Sequence, residues 1–468
     1  MKKTLTLFYL LLIVACVNAQ SNYKYAVVNK KGEVIVPLGY EKIDVFKNRL
    51  AKVTKKDKVG IINTKGKEVV PCLYDEIKDF EDGMAIVSKG NRFGVINTAN
   101  DTIIPIKQIS VTNYYKGTFL VYDNYLFGVI DSTGKVTVPF TKSIGLPYSG
   151  GKGYIITTRM DKSEQKIIDR HNNEIYSFPG HRVRDMNDGY LGIWEKKATD
   201  QASIYLNLKS PTPYVTYKIV DIEGNVINPS LTIEQNQFFN GGFSRISEDR
   251  KVGVIDIQGR LRVPCLYSRI FDFKDGYAKV KQDTTFLYGL NRYGIVNDRG
   301  DIIVPCIYDG LGELKENRMV AFLNQKYGFL NRQGQAVIPF NFDLAQDFEN
   351  GYAIVSKNNK YGVIGIDGKI VIPLIYEQIK RIDNALFAAS KNLKWGIIDT
   401  KGQTQVEFTY KSIMQLSDSE YVAVQQDNYW GVINKQGQQI LPITYNEIVS
   451  YSEGMFVVSF YPSNFKEE

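Results

Sequence analysis

The sequence is poor in the residues that do most catalytic and metal chemistry. In 468 residues it has two histidines, His171 and His181, four cysteines and three tryptophans. A structural zinc site needs about four convergent ligands and a serine-type triad needs a positioned imidazole. Two histidines in one stretch of chain supply neither, and His171 falls in a hairpin turn, where a solvated role is expected. Gly150-Gly151-Lys152-Gly153 has the composition of a phosphate loop. It lacks the Gly-x-x-x-x-Gly-Lys-Ser/Thr spacing and a following helix, so no cofactor is expected. Beyond the N-terminus there is no sustained helical period, no low-complexity tract, and no apolar run near the ~20 residues of a membrane span.

The one long apolar run, Leu5 to Val14, follows Lys2-Lys3 and reads as an export signal over residues 1–19. Two cleavage readings stand. Val17-Asn18-Ala19 before Gln20 suits ordinary signal peptidase, whereas Ile13-Val14-Ala15-Cys16 resembles a bacterial lipobox, which would lipidate Cys16. Three cysteines remain: Cys72, Cys265 and Cys306. Each follows a proline, in the slot held elsewhere by Leu38, Ile106, Phe140, Phe340, Leu374 and Ile443. They are therefore expected to be buried small hydrophobes, not a metal or redox set.

What the chain has instead is a repeat. A glycine recurs at Gly60, Gly94, Gly128, Gly253, Gly294, Gly328, Gly362, Gly396 and Gly431, mostly at intervals of 34 residues, with Ala26 in the same slot of the first copy. Two worn copies, Lys166-Ile167-Ile168-Asp169 and Lys218-Ile219-Val220-Asp221, complete a set of twelve. Shortly after each glycine comes Asn or Asp (Asn63, Asn97, Asp131 and so on, with Gly365 the exception). Three residues later stands Gly, or Asn at Asn100 and Asn172. A short Asx side chain can accept turn amides, and the last position demands positive φ, which Gly adopts freely and Asn tolerates. This predicts a three-residue hairpin loop closed by a bulge.

The second strand then runs to a proline such as Pro37, Pro71, Pro305 or Pro373. Proline cannot donate to a ladder and should end the pairing or lie on an edge. Pro-x-x-Tyr follows (Tyr40, Tyr74, Tyr267, Tyr308, Tyr376, Tyr445), then a second turn such as Glu81-Asp82-Gly83, then an alternating strand such as Met84-Ala85-Ile86-Val87. Tight connections force antiparallel neighbours. The expected fold is all-β: about twelve tandem antiparallel β-meander repeats of ~34 residues, in an open curved or superhelical array, with two six-unit propeller-like rings as the alternative. Residues 20–142 carry repeats one to four, 143–217 a degenerate fifth with insertions, and 218–468 repeats six to twelve.

Formal charge is +8, or +6 without Lys2 and Lys3. Residues 22–67 hold 12 Lys and Arg against 4 Asp and Glu, and Lys52, Lys55, Lys56 and Lys58 are the residues expected to meet an anionic surface. Carboxylates are plentiful, but most recur in each repeat. Asp82 and Asp275 sit in turns, and Glu41, Asp75, Asp309 and Glu377 follow the tyrosine, so the fold itself explains them. The worn middle holds the exceptions, Trp194, Arg182, Arg184 and Asp185, which form no recognisable catalytic set. The aromatics before the glycine (Phe93, Phe127, Tyr293, Tyr327, Tyr361, Trp395, Trp430) suit core packing better than a ladder of sugar-stacking platforms.

Lys394-Trp395-Gly396 and Tyr429-Trp430-Gly431, with the following Ile/Val-Ile-Asn/Asp-x-x-Gly and the Pro-x-x-Tyr, resemble the WG (KWG) repeat family over nearly the whole mature chain. The chain departs from the pattern where Phe, Tyr or Val replaces Trp, and in the fifth and sixth units. The resemblance implies a bacterial, β-rich, tandem and often exported protein with an interaction role and no transferable catalytic residues. The expected function is a non-enzymatic scaffold, exported to the periplasm, the medium or the outer membrane as a lipoprotein. Its expected partners are envelope or extracellular protein or glycan, and not nucleic acid. The alternatives are an envelope carbohydrate-active enzyme with its site in the worn middle, and a purely structural spacer.

Overall fold

The computed structural model describes residues 25–123, 126–141, 143–147, 153–159, 164–179, 181–195, 214–221, 223–234, 238–248, 250–283, 291–417 and 420–459. The signal segment and Cys16 lie outside them, as does the Gly150–Lys152 run. Among the described residues the regular structure is entirely β, in twelve small antiparallel sheets, eleven of four strands and one of three. The expectation of about twelve antiparallel meander units holds. The chain forms two compact units: Met1–Gln108, Asn359–Ile364 and Ile370–Glu468 in one, Ile109–Asn358 and Gly365–Lys369 in the other.

One sheet of the first unit shows the plan. Lys42–Ile43, Leu50–Lys55, Lys58–Asn63 and Glu68–Tyr74 pair in chain order. The turn between the third and fourth strands has the predicted form: Asn63 Oδ1 accepts the amides of Lys65 and Lys67, both at 3.0 Å. The closing residue has positive φ in every copy, from 77° at Gly32 to 90° at Gly300, and 68° at both Asn100 and Asn172. Where Gly365 replaces the Asx residue, backbone bonds from Gly365 to Lys369 and from Gly368 to Gly365 keep the loop.

The recurring strand glycine answers to a different constraint. A Cβ on Gly94 would lie 2.6 Å from the Ile104 carbonyl oxygen and 2.9 Å from Ile106 Cα; on Gly60 it would meet Cys72 Sγ at 2.7 Å. The residue after the proline therefore lies across the glycine of the neighbouring strand. The proline does not end that strand, which continues to the tyrosine. Ile61 pairs with Val70 but Val59 pairs with Tyr74, so Pro71 sits in a bulge on the outermost strand of its sheet. There its missing N–H costs no ladder bond. The same placement corrects the expectation for the cysteines. Cys72, Cys265 and Cys306 are half-buried, not buried, because an outermost strand covers the glycine with one side only. Burial still pushes the Cys72 thiol up to about 11.

The core lies between successive sheets. Ile61, Val70 and Tyr74 of one sheet pack against Ile77, Ala85, Val87 and Ile96 of the next. In the second unit Val254, Val263 and Tyr267 meet Ile270, Ala278, Val280 and Val296 in the same way. An open array would leave its first strand with a bare edge; instead Tyr25–Asn29 pairs with Met455–Ser459, Ala26 opposite Val458. The reason is a phase offset. The sequence repeat starts at the third strand of a sheet, so the first two described strands lack a partner pair, and the last two described strands provide it.

Gly66 combines positive φ with a Cβ position 2.5 Å from the Ile35 carbonyl oxygen, whereas nothing lies within 4 Å of that position at Gly83. Gly66→Val and Gly94→Ala are each expected to cost more than about 1 kcal/mol, and Gly83→Asn much less. Chemical denaturation of the three variants measures this, and equal midpoints would contradict the assignment. Because the Cys72 thiol stays protonated until well above neutrality, native protein at pH 8 is expected to react slowly with an alkylating reagent and fast once denatured. Mass spectrometry before and after unfolding reads the difference.

Candidate functional site

The first unit contains a cleft of about 680 Å³ lined by Lys42, Asp44, Val45, Lys47, Lys52, Asp79, Phe80 and Val449 among others. It lies at the end of the sheets where the first and second strands are joined. Lys52 Nζ is 2.6 Å and Lys47 Nζ 3.4 Å from Asp79, and Lys42 Nζ is 2.7 Å from Asp44. Lys52 beside Asp79 holds that carboxyl below the usual range. Opposite charges thus alternate along walls of apolar side chains, a lining suited to a neutral polar chain and not to a bare anion. Sequence reasoning singled out Lys52 but missed Asp79. The signal was available in the recurring Ile77-Lys78-Asp79-Phe80, Ile270-Phe271-Asp272-Phe273 and Ala345-Gln346-Asp347-Phe348.

The structure separates Lys52 from the other three lysines of the expected contact. Leu50–Lys55 runs away from the cleft, so Lys55, Lys56 and Lys58 flank the hairpin turn at the opposite end of the sheet. Lys58 pairs with Asp75, and Lys55 Nζ lies 6.0 Å from the centre of the Tyr40 ring.

The recurring carboxylates have structural work. Glu41 accepts the turn amides of Lys56 and Asp57 at 3.0 and 3.3 Å. Asp75 accepts Gly90 N at 2.5 Å, Asp309 accepts Asn324 N at 3.0 Å, and Glu377 accepts Asn392 N and Leu393 N at 3.1 and 2.9 Å. Each thereby holds a left-handed hairpin turn. The second acidic series staples sheet to sheet: Asp79 to Lys52, Asp272 to Arg245 and Asp347 to Lys315. Cations in the Asx turn reach back to the preceding sheet, with Lys30 over Tyr421, Arg170 over Tyr115, Arg332 over Tyr277 and Lys435 paired with Asp383.

The worn middle units bring together no acid pair from the residues read there. Trp194 packs edge-on against Tyr217 at 5.1 Å, Arg184 covers the Phe238 ring at 4.1 Å, and Asp185 accepts Asn187 N at 2.9 Å. Arg182 stands opposite Trp194 across the strand pair, and His181 begins that strand, exposed. His171 is in its turn, its amide donating to Asp169 at 2.8 Å. Of the aromatics before the glycine, Trp395 is 9% exposed among Ala388, Ile397 and Ile413, and Phe127 is 1% exposed. Packing accounts for both. Among the described residues no three His, Cys, Asp or Glu cluster as a metal site would, and no helix is long and apolar enough to cross a membrane.

No curated protein matches the chain. Among solved structures, the chain is similar to a eukaryotic initiation factor, with 12% identity over 69% of this chain and 95% of that one at a TM-score of 0.31. It is also similar to the extracellular domain of a putative one-component system from B. thetaiotaomicron, with 9% identity over 91% and 83% of the two chains at a TM-score of 0.25. The family described as WG containing repeat matches eight stretches, 25–58, 60–93, 253–283, 293–327, 327–361, 361–395, 395–430 and 430–460. Together these cover more than half of the sequence, with the unmatched stretch centred on the worn units. The chain belongs to the WG containing repeat family.

Proposed function

We propose that this protein is an exported, non-enzymatic repeat scaffold that binds protein or glycan at the bacterial envelope or outside the cell. The observation that carries the reading is the commitment of the recurring carboxylates. Asp75, Asp309, Glu377 and their equivalents hold turn amides, and Asp79, Asp272 and Asp347 hold basic side chains of the preceding sheet. A glycosidase needs two carboxylates held about 5–10 Å apart across a bound sugar, one of them able to carry a proton. Carboxylates occupied with turn amides and cations are poorly placed for that. What each sheet offers a partner is its turns and outer strand, repeated with small variations, so contacts that are weak singly can sum. The apolar segment behind Lys2-Lys3 supports export, with the mature chain starting at Gln20 or at a lipidated Cys16.

Three measurements test this. Binding to envelope extract and to a glycan array is expected to be lost gradually as surface residues of several sheets are substituted, without any point substitution abolishing it. A hydrolase substrate panel is expected to show no turnover, and robust turnover abolished by one carboxylate substitution would overturn the scaffold reading. The mass of the mature N-terminus decides between Gln20 and acylated Cys16, and a retained Met1 in the producing cell would defeat export.

A further inference from the structure

The hairpins between second and third strands carry a feature that folding does not call for. In the first unit, strand register places Lys55 directly opposite Lys58, Lys89 opposite Arg92, and Lys391 opposite Lys394. Like charges facing each other across an antiparallel pair repel and destabilise the hairpin. One such pair would be unremarkable. Three at the same position of three sheets, each at the tip of its hairpin, amount to a repeated local conflict, and such conflicts gather where a sequence serves function.

These pairs share one end of the unit. Asp75 joins two of the hairpins, pairing with Lys58 and accepting Gly90 N, and Glu377 holds the Asn392-Leu393 turn of the third. Asp75 offsets part of the first pair and also acts on Lys89 of the second. Lys89, Arg92, Lys391 and Lys394 are exposed, and Arg92 Nη1 donates to the Lys107 carbonyl, which fixes its direction. At the sheet that follows the Lys391 hairpin the pair is different: Gln426 faces Tyr429, both exposed, Tyr429 at 39%. Tyr40 lies under Lys55.

We propose that this end of the first unit is a binding face for an acidic polysaccharide, the cationic pairs taking its carboxylate, sulfate or phosphate groups and Tyr429 with Gln426 taking a sugar ring between them. The inference rests on the glycan-binding reading above and gives the glycan its charge. Discrete cationic pairs on three sheets of the unit suit a linear polymer with spaced charges. A face meant for a lipid plane would be expected to carry a contiguous apolar insertion surface beside its lysines. Here the turn tips are Lys56-Asp57, Gly90-Asn91, Asn392-Leu393 and Asp427-Asn428, polar but for one residue. The cleft with Lys52 faces the other end and takes no part.

The test uses the full mature chain and four probes: polygalacturonate, dextran sulfate, neutral dextran, and phosphatidylcholine vesicles containing phosphatidylglycerol. Binding to the two acidic polymers is expected in low salt and to weaken steeply as salt rises. Combined K55Q, K58Q, K89Q, R92Q, K391Q and K394Q is expected to weaken it at least about tenfold, since several weak contacts act together. The same variant loses the Lys58–Asp75 pair and the Arg92 bond to the Lys107 carbonyl together with the facing repulsion, so its melting temperature is expected to stay within a few degrees of the natural chain's. Neutralising Lys31, Lys65, Lys67 and Lys401, on turns at the opposite end, is expected to leave binding intact. Acidic polymers bound no better than neutral dextran would overturn the proposal. So would equal loss in both variants, or retention by vesicles without polymer binding. If the six-fold variant does not fold, salt-insensitive binding by the natural chain overturns it by itself. Neutral-glycan or protein binding that persists without any preference for acidic polymers would sink this inference and leave the scaffold reading standing. Turnover of any probe would sink both.

Discussion

Each sheet is assembled from the second half of one sequence repeat and the first half of the next. The two-strand offset is the constraint behind most of what is distinctive here. It places the two halves of one repeat on neighbouring sheets, so that Ile61, Val70, Tyr74, Ile77, Ala85 and Val87 of a single repeat, with Ile96 of the next, form the apolar cluster between those sheets. It also decides how the ends of the chain are treated. A first repeat that begins in mid-sheet exposes a strand edge with unpaired backbone groups, a known route to aggregation. Pairing Tyr25–Asn29 with Met455–Ser459 covers it.

Within that frame two glycine positions do separate jobs. At Gly66 the backbone conformation is the issue, with φ at 77° and a neighbouring carbonyl close by. At Gly94 it is proximity alone, because Ile104 and Ile106 come too near for any side chain. The bulge at the proline makes the second possible: it carries the residue after the proline across the adjacent strand, where Cys72, Ile106, Phe140 and Leu374 all serve. That tolerance explains why cysteine can appear there without forming a disulfide framework.

Charge in this protein is mostly architectural. Acids after the tyrosine hold hairpin turns, acids in the Ile-x-Asp-Phe stretch hold the preceding sheet, and cations in the Asx turns reach back across aromatic rings. Function is then to be sought where charge does not serve this plan. The facing basic pairs of the first unit, Lys58 with its Asp75 partner excepted, are such a place.

The sequence alone determined the number of units, the antiparallel meander and the form of the Asx turn. Those depend on local stereochemistry: which residues accept positive φ, and which side chains can reach turn amides two and four residues on. The recurrence of Glu41, Asp75 and Glu377 also marked them as structural before their partners were known. Only the tertiary structure decided the phase of the sheets, the bulge that keeps the proline inside its strand, and the half-exposure of Cys72. The same is true of the separation of Lys52 from Lys55, Lys56 and Lys58. Each turns on which strands become neighbours, and a repeat of fixed period reads alike whichever strand begins the sheet. Asp79 is marked in the sequence by its recurrence as Asp272 and Asp347, but its partner Lys52 lies on the preceding sheet, and no spacing in the sequence states which sheets will touch.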